Sequence, residues 1–137
     1  MKGFEIKEHT ADVAVESTGE TIEAVFSHLA DGLAATMCDE WPQSGEEYTF
    51  EVAAEDVEAL LFDFLDELIY LRDVKSVLPV DNSVSISESA DGWVLQGQFR
   101  GVPLETITAR EVKAVTYSDM ELTQTSTGWR GYVVFDV

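Results

Sequence analysis

A chain of 137 residues with 45% hydrophobic and 26% charged side chains has the composition of one folded domain around one continuous core, here spanning residues 1–137. Its 27 acidic residues against 8 basic ones leave a net charge of −19, which argues against direct high-affinity binding of nucleic acid, because phosphates are held by lysine and arginine. The same excess reads as a solvated coat suited to high salt, where screening within about 3 Å at 1 M removes the self-repulsion.

In chain order, FEIKE and VAVES read as two short strands flanking HTAD, residues His9 to Asp12. From Thr21, a plausible helix N-cap with Glu23 in the first turn, apolar residues fall at Ile22, Val25, Phe26, Leu29, Leu33 and Met37. That three-and-four spacing makes one stripe of an amphipathic helix. His28 lies off the stripe and is expected on the exposed face, without chemistry. A loop with Trp41, Pro42 and Gly45 precedes the alternation of Tyr48, Phe50 and Val52 in EEYTFEVAA, a strand. A second helix begins near Glu55, with a stripe at Val57, Leu60, Leu61, Phe64, Leu65, Leu68 and Leu71 and with Asp63, Asp66 and Asp73 on the solvated side. After Pro79 the pattern turns to strands: VSISES, a turn at Asp91-Gly92, WVLQGQF, EVKAVTY, MELTQT, a turn at Thr127-Gly128, and WRGYVVFDV. Early helices and late consecutive strands predict an α+β single domain, a mixed or largely antiparallel sheet with two amphipathic helices packed on one face.

Cys38 is the one cysteine, so no disulfide framework or cysteine metal cluster is available, and a packing role in a reducing cytoplasm is expected. The N-terminus lacks the apolar run of a signal peptide, and no stretch reaches the roughly 20 apolar residues that span a bilayer. A soluble cytoplasmic protein is the expectation.

Strand parity singles out two acids. If Val13, Val15, Val133, Phe135 and Val137 face the core, then Asp12 and Asp136 face the other side, one at the start of its strand and one at the end of the last. Should those strands be antiparallel neighbours, the carboxylates meet, and two of them about 4 Å apart repel by about 4 kcal/mol at an effective dielectric of 20. Such a pair holds a cation or a shared proton. A hard ion such as Ca²⁺, Mg²⁺ or Mn²⁺ suits oxygen donors, and Val137 can add a further oxygen. The competing reading is a solvated turn residue and an ordinary C-terminal aspartate. His9 reads as a structural hydrogen-bond partner before a metal ligand. Lys113, amid apolar neighbours in EVKAVTY, either snorkels to solvent or meets a carboxylate. No serine or cysteine nucleophile comes with a motif, and neither a phosphate loop nor a dinucleotide fingerprint is present, so a self-sufficient enzyme is hard to build.

Taken together, HTAD, the helix TIEAVFSHLADGL, the segment LLFDFLDELIYLRD, the strand EVKAVTY and the terminus VVFDV resemble the archease family, in order and over nearly the whole chain. The resemblance implies an archease-like fold and an accessory protein, without catalytic activity of its own, for the RtcB-type RNA ligase that joins tRNA halves after intron removal. Such a protein promotes GTP-dependent guanylylation of the ligase and multiple turnover, and meets GTP and tRNA only through it. The resemblance also implies that Asp12 and Asp136, with Val137 beside the latter, hold a divalent metal, and that Lys113 is functionally important. Two departures stand out: Ser118 occupies the place of a frequent family histidine, and Asp66 that of an asparagine. The acidic composition suggests a haloarchaeal member. Two other functions remain open, a chaperone-like helper of tRNA-modifying enzymes such as a methyltransferase, and a small metal-dependent hydrolase.

Overall fold

A computed structural model describes residues 3–8 and 12–137, so His9 lies outside the described residues. The elements are β1 (Phe4–Glu8), β2 (Asp12–Gly19), α1 (Ile22–Met37), β3 (Glu46–Ala54), α2 (Val57–Lys75), β4 (Val77–Ser89), β5 (Gly92–Pro103), a 3-10 turn at Leu104–Thr106, β6 (Ala114–Thr125) and β7 (Gly128–Asp136). Each helix starts on a side chain that satisfies an otherwise orphaned N–H. The Thr21 hydroxyl accepts from Ala24 at 3.1 Å, and the Asp56 carboxylate accepts from Ala59 at 2.8 Å. Helix α2 stops where Ser76 takes a left-handed φ of 55°, with Arg72 and Lys75 in the last turn facing the negative end of the helix dipole.

All strand pairings are antiparallel, as expected for the α+β class, but the seven strands divide between two sheets. One has the order β1-β2-β7-β6 and the other β3-β5-β4. Both helices touch both sheets: α1 packs on β2, β7 and β4, and α2 on β3, β6 and β4. A single core results, in which Phe26 of α1 and Phe50 of β3 stack on Phe64 of α2 at 5.8 and 5.9 Å. The two hairpins turn at Gly92 and Gly128, whose φ of 133° and 155° suit a residue without Cβ.

Several local expectations change. Strand β4 starts at Val77, before Pro79, which is buried inside it opposite Gly101. AVTY and MELTQT belong to one strand, β6, interrupted by a register shift between Thr116 and Glu121, while Glu111, Val112 and Lys113 of the expected strand EVKAVTY lie ahead of it. His28 is half-buried rather than exposed, because β1 crosses that flank of α1 and its ring fills the place a Cβ on Gly3 would take. Val137 leaves the core parity and is 42% exposed, since the ladder ends at Asp136. Cys38 is buried at the end of α1, its thiol donating to the Glu40 carbonyl at 3.0 Å, the packing role expected of it. Among the described residues no helix is long and apolar enough to cross a membrane.

Candidate metal centre

Strand β2 begins at Asp12 and β7 ends at Asp136, and the two are direct register partners in the antiparallel ladder. Opposed residues of such a pair leave the sheet on one face with Cβ atoms about 4.5–5.5 Å apart. The condition set by strand parity is therefore met. Asp12 is half-buried and Asp136 exposed.

A third segment closes on Asp136 from the other side. Ala114, the first residue of β6, is its register partner there, and Lys113 just before it donates its backbone N–H to the Asp136 carbonyl at 2.8 Å. The Lys113 side chain stays exposed. Asp12, Asp136 and Lys113, far apart in the chain, thus reach one end of the four-stranded sheet with Val137. The approach to Lys113 is itself tied down across the end of α1. Arg110 donates its N–H to the Met37 carbonyl at 2.6 Å and its Nε to the Thr36 carbonyl at 3.1 Å, while its guanidinium meets Asp39 at 3.0 Å. Sequence reasoning passed over Arg110, whose only signal is an isolated arginine ahead of EVKAVTY. A cavity of about 490 Å³ opens here, lined among others by Ile6, Val13, Arg110 and Val137.

The face carrying Asp12 and Asp136 is apolar at its middle, where Ala14 and Val134 are partners and both buried, and charged at its two ends. At the far end Arg130 lies between Glu16 and Glu121, bonding the latter at 2.6 Å, with its guanidinium 5.8 Å from the Tyr132 ring centroid. Hydrogen bonds to Glu121 and Glu16 raise the Arg130 pKa further above its ordinary value. Two acids brought together on this face are there reconciled by a cation between them. Asp12 and Asp136 bring two further carboxylates together at the other end, and their oxygens are a donor set that matches a hard divalent ion. Among the described residues no group of three or more histidine, cysteine, aspartate or glutamate side chains converges, so from these residues the further ligand on offer is backbone oxygen, as at Val137.

The model of the archease protein family matches residues 4–137. The chain belongs to the archease family. As an archease family member it is 33% identical to the protein archease of Pyrococcus furiosus over the full length of both chains. To that of Thermococcus gammatolerans it is 36% identical, again over both full lengths. Among solved structures it is similar to the solution structure of a Methanobacterium thermoautotrophicum protein, with a TM-score of 0.88, 33% identity and complete coverage of both chains. The crystal structure of an archease from Thermotoga maritima, described as a possible chaperone, has a TM-score of 0.66 at 25% identity, covering 97% of this chain and 96% of that one. The family expected from five separated motifs is therefore established over almost the whole length.

Proposed function

We propose that this archease family member is a cytoplasmic accessory protein that activates an RtcB-type RNA ligase in tRNA splicing, through a divalent ion held by Asp12 and Asp136. The observation that carries the reading is the register pairing of those two acids, with Lys113 tied to the Asp136 carbonyl. The ladder fixes both Cα positions, so the carboxylates are presented together before any ligand arrives, and Val137 can contribute a further oxygen. Bound there, Ca²⁺, Mg²⁺ or Mn²⁺ would neutralise the opposed carboxylates and offer open coordination positions to phosphate oxygens. Lys113 stands beside this end as a point charge with three donors, able to meet a triphosphate or an acidic group of the ligase without being a metal ligand. GTP and tRNA are engaged through the ligase, in keeping with the charge of −19.

The test is GTP-dependent guanylylation of the cognate ligase with Mn²⁺, the accessory protein being present below stoichiometric amounts. Asp12→Ala and Asp136→Ala are expected to abolish stimulation while leaving the far-ultraviolet circular dichroism unchanged, because one carboxylate holds a hard cation poorly against its hydration shell. Full stimulation by the double variant overturns the metal mechanism. A second reading, a chaperone-like helper of other tRNA enzymes, draws on the description of the Thermotoga maritima relative as a possible chaperone. It predicts that a tRNA methyltransferase responds to the protein and that the ligase does not.

A further inference from the structure

Among the described residues the large apolar side chains left exposed fall in two places. Ile6 and Val137 flank the end described above. Tyr70, Val74 and Tyr117, each 55 to 58% exposed, belong to the outer side of α2 and the strand beside it. Phe62, Asp66, Tyr70 and Val74 follow one another in steps of four, which sets them as successive neighbours along one slowly winding helix face. Tyr117 extends that line. It sits in the stretch of β6 where register is lost and where Asp119 takes a left-handed φ of 59°, and its ring lies on Phe62 with centroids 4.0 Å apart and planes 2° from parallel. Asp66 divides this face into two apolar patches, Phe62 with Tyr117 and Tyr70 with Val74; single exposed apolar residues are ordinary on any surface, whereas apolar patches grouped on one face within a polar rim mark a contact site.

The rim is mainly acidic, with Lys75 in the last turn of α2 as its exposed cation. Asp63, Asp66 and Asp73 are exposed on this helix and Glu67 is beside them. Partial burial, then the charges of Asp63 and Asp56, push the Tyr117 phenol above its ordinary value. Arg72, the arginine of α2, turns inward: its side chain is 8% exposed and is spent on Asp73 and the Met37 sulfur.

We propose that this strip docks a basic segment of a partner protein, whose arginine or lysine side chains meet Asp63, Asp66 and Glu67 while its apolar residues cover Tyr70, Val74 and the Tyr117 ring. Charge selects this occupant over the others. Nucleic acid and anionic lipid are repelled by the rim. A second copy would bring the same acids, its four arginines are each engaged with acids of their own, at Asp73, Asp81, Asp39 and the Glu16–Glu121 pair, and of its described lysines Lys75 and Lys113 are exposed, two cations against the acids of the rim. Cations of a partner can also lie over the aromatic faces, adding attraction that a neutral apolar segment would lack. This surface is separate in chemistry from the Asp12–Asp136 pair and does not depend on the ligase reading.

The test uses the isotope-labelled protein at the lowest salt at which it is folded, titrated with a synthetic amphipathic helix of leucine and arginine and, separately, with its leucine and glutamate counterpart. Amide shifts are expected in Val57–Lys75 and in residues 114–120 with the arginine peptide, and none with the glutamate peptide. Tyr70→Ser with Val74→Ser, and Asp63→Asn with Asp66→Asn, replace exposed side chains, and each pair should weaken binding by about tenfold. Shifts spread over all acidic surfaces and indifferent to both pairs would overturn the proposal as unspecific attraction to a polyanion. Concentration-dependent broadening of the α2 amides without peptide would overturn it in favour of a second copy.

Discussion

Asp31 shows how much one side chain of this fold can carry. From α1 its carboxylate accepts both the backbone N–H of Asn82, at 3.0 Å, and the Asn82 side-chain amide, at 2.9 Å. Asn82 is 8% exposed and sits where β4 loses register between Val80 and Ser83, next to Asp81 with its left-handed φ of 51°. Asp31→Ala leaves the Asn82 backbone N–H without its acceptor and the Asn82 side-chain amide with only the Pro79 carbonyl, at 3.4 Å, and should cost about 1–3 kcal/mol in urea unfolding. Asp31→Asn keeps an acceptor and removes the charge, which separates the two effects. Burial, helped by Asp81, raises the Asp31 pKa against the opposing hydrogen bonds from Asn82 and the charge of His28. The folded state therefore binds this proton more tightly than the unfolded state, so the group's contribution to stability is fully present below the ordinary aspartate value and is lost as pH rises through the raised folded value. Asp31→Asn should accordingly gain more stability over the parent at neutral pH than in mild acid, and equal gains at both would show that the charge is not strained there. At the sheet end, Lys113→Ala is expected to lower ligase stimulation while divalent-ion binding, followed by calorimetry, persists, because the lysine backbone and not its ammonium secures Asp136.

At the scale of elements, α1 lies close against its sheet because glycines let it. Propensity alone makes Gly32→Ala stabilising by about 1 kcal/mol inside a helix. A Cβ on Gly32, however, would stand 2.5 Å from Cγ1 of the buried Val15, so the substitution should instead destabilise, by about 1–3 kcal/mol in thermal or urea unfolding. A stabilised variant would mean that α1 can move away from β2 at little cost. The stripes of both helices were readable in the sequence because periodicity records which side of an element is buried: Val25, Phe26, Leu29 and Leu33 are all core, and Asp63, Asp66 and Asp73 are all exposed. The meeting of Asp12 and Asp136 was readable for a related reason, since parity fixed their common face and only the adjacency of two strands had to be supposed. Periodicity does not say which strand pairs with which, and so it did not separate β3-β5-β4 from the four-stranded sheet. Nor does it mark a backbone hydrogen bond such as that from Lys113 to Asp136, or the lost register that turns Tyr117 onto Phe62.

For the whole molecule the decisive quantity is the net charge of −19 on 137 residues. Folding gathers those acids onto one small surface: exposed carboxylates crowd the outer side of α2, the strand β3 with Glu46, Glu47 and Glu51, and the loop at Asp39 and Glu40. The arginines do not offset this, because each already answers a particular acid. An unfolded chain spreads the same charges farther apart, so repulsion weighs against the folded state and screening relieves it. The Debye length falls from about 10 Å at 0.1 M to about 3 Å at 1 M, below the spacing of most surface acids, so the relief should be steep at first and then level off. The midpoint of thermal unfolding is therefore expected to rise markedly from dilute buffer to molar KCl. Two controls separate screening from general exclusion of solute. Sucrose, which strengthens burial without carrying charge, should reproduce little of the rise. In mild acid, where carboxylates begin to take up protons, the salt effect should shrink, because there is less repulsion left to screen. A midpoint that does not move with KCl, or that moves equally with sucrose, would show that the acidic coat is not a burden on this fold and that high salt is not the condition it is built for.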